Sequence, residues 1–127
     1  MIIGIGTDIV TVARIEAAIA RHGAAFAERI LSSQELSEYT MHSFPARVLS
    51  KRFAAKEAFA KATGQGLRHP VSLQRITVCH DELGKPAFLF DDELSTHLLK
   101  LGVKHHHLSL SDERETAMAF VILEGDC

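Results

Sequence analysis

The sequence has no tryptophan, a single tyrosine and only two cysteines, Cys79 and Cys127, among 127 residues. Two cysteines make neither a disulfide framework nor a cysteine-metal pattern, which excludes the stapled secreted domains and predicts a reducing, cytoplasmic setting. Aromatic residues are scarce and the net charge is −2, which excludes a nucleic-acid groove built of bases and stacking rings. No apolar run is long enough to cross a bilayer, and the opening MIIGIGTDIV carries neither a basic leader nor a cleavage site, so no membrane partner is expected. What remains is an ordinary globular composition, 46% hydrophobic and 24% charged. The length fits one domain over residues 1–127 with one real core.

Charge is unevenly spread. Residues 1–70 hold nine bases and six acids, whereas residues 71–127 hold five bases and ten acids. The basic half suits an anionic ligand or an acidic partner. Its centre is Met41–Arg68, where Arg47, Lys51, Arg52, Lys56, Lys61 and Arg68 face a single acid, Glu57. Pro45 before and Gly64 after this stretch predict one helix of four to five turns. Its apolar residues lie all round, as in a helix packed on most of its circumference, with Glu57 projecting beside Phe53 and Ala60. A carboxylate on a partly buried wall needs a cation. Lys61, one turn on, is one partner and a metal ion is the other.

In chain order, residues 1–10 alternate as a strand with Gly4, Gly6 and Asp8 on one face. Two glycines together predict that something approaches that backbone closely. Asp8 ends the face, with a turn-capping role open to it. Thr11 is expected to cap a helix from Val12 to His22 that Gly23 stops. Arg14, Ala18 and Arg21 form one stripe on it, either a solvated face or a landing strip for an acidic helix. Short helices are expected over Ala25–Leu31 and, capped by Ser33, over Gln34–Met41. Further on, a strand around Arg75–His80 and Ala87–Phe90 form a hairpin around Glu82–Pro86. A helix begins at Asp91 or Asp92, and two last strands cover about His105–Ser111 and Thr116–Leu123. Of the three consecutive histidines, only His105 and His107 can share a strand face, which argues against a metal site and for one of them lining a ligand pocket.

Four stretches together, GIGTDIV, RFAAKEAFAKATGQG, ELGKP and HLSLSDE…AMAFVI, resemble the holo-[acyl-carrier-protein] synthase family of small 4′-phosphopantetheinyl transferases. The resemblance covers essentially the whole chain, and its most specific part is the pair formed by the aspartate of G-x-G-x-D and the glutamate of F-A-x-K-E-A. It implies Mg²⁺-dependent transfer of the phosphopantetheine arm of coenzyme A to a serine of apo-acyl carrier protein in fatty-acid synthesis, releasing adenosine 3′,5′-bisphosphate. It further implies Asp8 and Glu57 as metal ligands and catalytic groups, and Lys61 facing the phosphates. Arg52 would reach the 3′-phosphate of a site shared with a neighbour. Gly64, Gly84, Lys85 and Pro86 would lie along the nucleotide, and Arg14 and Arg21 would meet the carrier protein. The implied fold is a small α+β domain, an antiparallel sheet on a long central helix, assembled as a homotrimer with sites between subunits. Many relatives have histidine where this chain has Asp112, so no ligand role carries over to that position. A reading from the residues alone stays open beside this one: a non-catalytic nucleotide- or phosphate-binding module in which Lys61 ties up Glu57 and Asp8 is only a cap.

Overall fold

The alternating N-terminus forms β1 (Ile2–Thr11) in a computed structural model that describes residues 1–39 and 44–126. Helix α1 (Val12–His22) follows directly and stops at Gly23, whose φ of 61° is left-handed. Thr11 occupies the N-cap position but makes no side-chain cap bond; the Val12 amide donates instead to the Glu115 carbonyl at 2.9 Å. Next come α2 (Ala24–Ile30), α3 (Ser33–Tyr39) and α4 (Pro45–Ala62). The cap of α3 is Ser32 rather than Ser33. Ser32 Oγ accepts from the Glu35 amide at 3.3 Å, and Glu35 Oε1 accepts from the Ser32 amide at 2.9 Å, a reciprocal capping box. The expected extension of this helix to Met41 lies outside the described residues, as does Cys127.

A short 3-10 turn at Leu73–Arg75 leads into β2 (Ile76–His80) and β3 (Pro86–Phe90). Asp91 caps α5 (Asp92–Lys100) by accepting from the Leu94 amide at 2.9 Å, and β4 (His105–Asp112) and β5 (Thr116–Glu124) close the chain. The class is α+β, as expected. The strands make two antiparallel sheets rather than one: three strands in the order β1-β5-β4, and the separate β2-β3 hairpin.

Helix α4 lies across β1 and β5. Gly4 and Gly6 permit it. A Cβ on Gly4 would run into the Ala62 carbonyl oxygen, and one on Gly6 into that of Ala58. The close approach that the glycine pair predicts is therefore the backbone of α4. Phe59 on the far side of α4 packs on Phe88 and Phe90 of β3, with ring centroids 5.4 and 4.9 Å away, and this joins the second sheet to the core. The opposite face of the three-stranded sheet is bare: Ile5, Ile9 and Met118 are 60%, 68% and 40% exposed.

Candidate active site

Asp8 shares the face of β1 that meets α4, and Glu57 sits on the half-buried strip of α4 beside Phe53. Lys61 reaches across to β1, donating to the Thr7 carbonyl at 2.9 Å and to Asp8 Oδ1 at 3.2 Å. Its partner is thus Asp8 and not Glu57: two acceptors on the strand outcompete one same-helix pair worth a few tenths of a kcal/mol. Asp8 accordingly acts as an ion-pair partner rather than as a turn cap. Burial chiefly, and then the negative charge of Asp8, hold the Glu57 carboxyl above its ordinary value, while Lys61 and Arg14 pull it the other way. Side chains from β1, α1 and α4 therefore share one electrostatic field. Two carboxylates in each other's field make a hard-oxygen donor set that fits Mg²⁺, which takes few protein ligands and completes its shell with substrate phosphate and water. Among the described residues no group of three or more His, Cys, Asp or Glu stands ready to hold a metal, so such an ion would rely on substrate oxygens. The Lys61–Asp8 pair, with the lysine side chain 56% exposed, is a weak one that a divalent cation can displace.

A second charged group lies on another side of α4. Lys56 is fully buried, and its Nζ donates to Glu35 Oε1 at 2.5 Å, to the Ile30 carbonyl at 2.7 Å and to the Leu73 carbonyl at 3.0 Å. Burial pulls its pKa down to about 8, with Glu35 opposing the shift. Glu35 Oε2 accepts from the Val78 amide at 3.1 Å and lies 3.7 Å from Arg52 Nε. Lys56 is therefore a structural cation, not part of an open basic surface. Arg52, 6% exposed, lines a cavity of about 240 Å³ with Glu38, Val48, Lys51, His80 and Leu110. Lys51 in turn lies 4.0 Å from Asp112.

The remaining expected residues are dispersed. Gly64 follows α4 with a φ of 78°, and its amide donates to the Lys61 carbonyl at 3.0 Å. Gly84, Lys85 and Pro86 form the β2–β3 turn, which Asp81 fastens by accepting from the Leu83 and Lys85 amides at 2.9 Å each. That turn belongs to the two-stranded sheet, whereas Asp8 belongs to the other. Arg14 and Arg21 are exposed on α1. His106 points inward, its ring edge-on to Phe90 at 5.0 Å, and His107 bonds Glu124 at 3.0 Å.

The family model for the 4′-phosphopantetheinyl transferase superfamily matches residues 4–121. The chain belongs to this superfamily. A holo-[acyl-carrier-protein] synthase of Laribacter hongkongensis is 55% identical over 98% of this chain and 100% of its own length. Among solved structures, the holo-[acyl-carrier-protein] synthase of Neisseria meningitidis is 50% identical, with a TM-score of 0.95 over 98% of this chain and 99% of that one. The Bacillus anthracis holo-(acyl-carrier-protein) synthase, solved in complex with CoA (3′,5′-ADP), is 37% identical with a TM-score of 0.82, covering 99% of both chains.

Within this transferase fold, sequence reasoning missed Glu35 and the burial of Lys56. A signal was present for Glu35, because Ser32-Ser33-Gln34-Glu35 is a capping-box pattern. Nothing local distinguishes Lys56 from the exposed lysines around it, since its partners come from residues far along the chain.

Proposed function

We infer that this chain is a holo-[acyl-carrier-protein] synthase over residues 1–127. It would move the 4′-phosphopantetheine group of coenzyme A to a serine of apo-acyl carrier protein and release adenosine 3′,5′-bisphosphate. The observation that carries this reading is the meeting of Asp8 and Glu57, from opposite ends of a long stretch of chain, in one field beside Lys61. The binding-module alternative required Glu57 tied to Lys61 and Asp8 as a cap, and neither arrangement occurs.

In the transfer, the serine oxygen bonds to the phosphorus that carries pantetheine, the bond from that phosphorus to the bridging oxygen breaks so that this oxygen leaves on adenosine 3′,5′-bisphosphate, and the serine proton passes to solvent. Asp8 and Glu57 would hold Mg²⁺, which supplies charge neutralisation on the pyrophosphate when bound. Lys61, leaving Asp8, would turn its ammonium to the same phosphates. Arg14, on the adjoining face of α1, and Arg21, in its last turn, would receive the acidic carrier protein.

Two features support intersubunit sites and a homotrimer. The bare apolar sheet face is of the kind that a second copy covers. Asp8 lies on β1, at one edge of the three-stranded sheet, whereas the Arg52 cavity includes Leu110 of β4, at the other edge. A ligand touching both edges through two neighbouring copies needs no distortion of either. Arg52 itself supports the 3′-phosphate role: its guanidinium is buried, and its Nη1 has no hydrogen-bond partner among the described residues. Gly64, Gly84, Lys85 and Pro86 would border the nucleotide. Among the described residues no helix is long and apolar enough to cross a membrane, in keeping with a cytoplasmic enzyme.

The test is to mix the protein with coenzyme A and an apo-carrier, with and without Mg²⁺, and to weigh the carrier. A gain of one phosphopantetheine arm only with the cation is expected. Asp8→Ala and Glu57→Ala should each lower turnover by on the order of 10²- to 10³-fold or more while the chain stays folded. Unchanged turnover in either variant refutes the assignment.

A further inference from the structure

We propose that Glu38 is a specificity-determining residue, an internal counter-charge that a phosphate monoester must displace from Arg52 on entering the cavity beside α4. The inference rests on the reading of Arg52 given above and extends it to a residue that no part of that reading uses.

Arg52 has an unusual position for a cation. It is more than nine-tenths buried, its Nη1 finds no hydrogen-bond partner among the described residues, and its Nε and Nη2 each stand 3.7 Å from a carboxylate oxygen. Its nearest carboxylate, Glu35, is already committed to Lys56 and to the amides of Ser32 and Val78. At 3.7 Å from Nε, Glu35 gives Arg52 charge compensation without a hydrogen bond. A guanidinium sequestered in this way strongly favours a further anion.

Glu38 is the group that answers. Its Oε2 lies 3.7 Å from Arg52 Nη2, again too far for a hydrogen bond. Its side chain is 57% exposed against 7% for Arg52, so the carboxylate stands at the solvent side of a fixed cation and can swing away. The other charged or titratable groups lining the cavity, Lys51 and His80, carry or can carry positive charge, and Glu38 is the only acid among its described lining residues. Planar N–H pairs of arginine match the oxygens of a phosphate better than a single carboxylate oxygen at long range. A monoester phosphate arriving from solvent thus meets the cations Arg52 and Lys51, His80 beside them, and one solvent-facing acid occupying its place. Glu38 weakens the affinity for such a phosphate and leaves unaffected a nucleotide that lacks one there.

The experiment is titration calorimetry of the intact protein with adenosine 3′,5′-bisphosphate and, separately, adenosine 5′-monophosphate. Glu38→Gln should bind the bisphosphate about 3- to 6-fold more tightly, as expected for removing one partly exposed charge, with the monophosphate unchanged. The gain should shrink as salt rises. Arg52→Met should abolish the preference for the bisphosphate. If Arg52→Met keeps that preference, the Arg52 reading fails and this inference with it. If Arg52→Met loses the preference but Glu38→Gln gains nothing, or gains equally for both nucleotides, only the role of Glu38 is overturned. Glu38→Ala, on the same exposed helical position, gives a second fold-neutral check on the sign.

Discussion

At Glu57, burial and the neighbouring Asp8 both resist ionisation, and Lys61 with Arg14 only partly offsets them. A carboxyl whose folded pKa stands above its unfolded one contributes stability that is complete below the unfolded value and is lost as pH rises through the folded value. In the cation-free protein, NMR titration of Glu57 should therefore find its midpoint above the ordinary glutamate value. Asp8→Asn should move that midpoint down, because the like charge is gone. Since a cation and a proton compete for the same oxygens, the Mg²⁺ concentration giving half-maximal thermal stabilisation should climb as pH falls through the Glu57 midpoint. A midpoint that ignores Asp8→Asn would mean that the two carboxylates are not coupled.

Helix α4 is the element on which the charged groups converge: Glu57 and Lys61 toward β1, Arg52 toward α3, and Lys56 into the core. What fixes its rotation is the Lys56–Glu35 pair together with the glycine face of β1. Lys56→Met leaves a carboxylate sealed inside without its hydrogen-bonded cation, one of the three donors it accepts from, and should lower the free energy of unfolding by about 3–5 kcal/mol, read from urea denaturation. The double variant Glu35→Leu with Lys56→Met should lose less than Lys56→Met alone, because no charge is stranded. The elements themselves were largely legible from sequence. Alternation and paired glycines announced β1, Pro45 and Gly64 bracketed α4, and the Glu82–Pro86 turn announced the hairpin. The pairing of Lys56 was not legible, because three acceptors from separate segments decide it. The candidate site was legible chiefly through resemblance. Residue chemistry alone left Glu57 between an ion pair and a metal, and only the fold shows Lys61 turned to Asp8.

For the molecule as a whole, the bare side of the three-stranded sheet is the largest unmet demand. Ile5 and Ile9 of β1 and Met118 of β5 stand in solvent on the side away from α4. If the proposed homotrimer is built on this face, Ile5→Lys should leave the secondary structure intact by circular dichroism but reduce the sedimenting mass to that of a single chain. Transfer activity should then fall with it, since in that assembly the two sheet edges would no longer meet across neighbours. A variant that stays assembled and active would show that this surface is not what the copies share.

The depth at which Lys56 lies has a use beyond folding. Amine-acylating reagents reach Lys61, Lys85, Lys100 and Lys104, all of which are exposed, while the Lys56 ammonium is closed off and held by three oxygens. Acylation at that one site, followed by peptide mass mapping, therefore reports only those molecules that have opened their interior, and gives this chain a native chemical clock for its own unfolding.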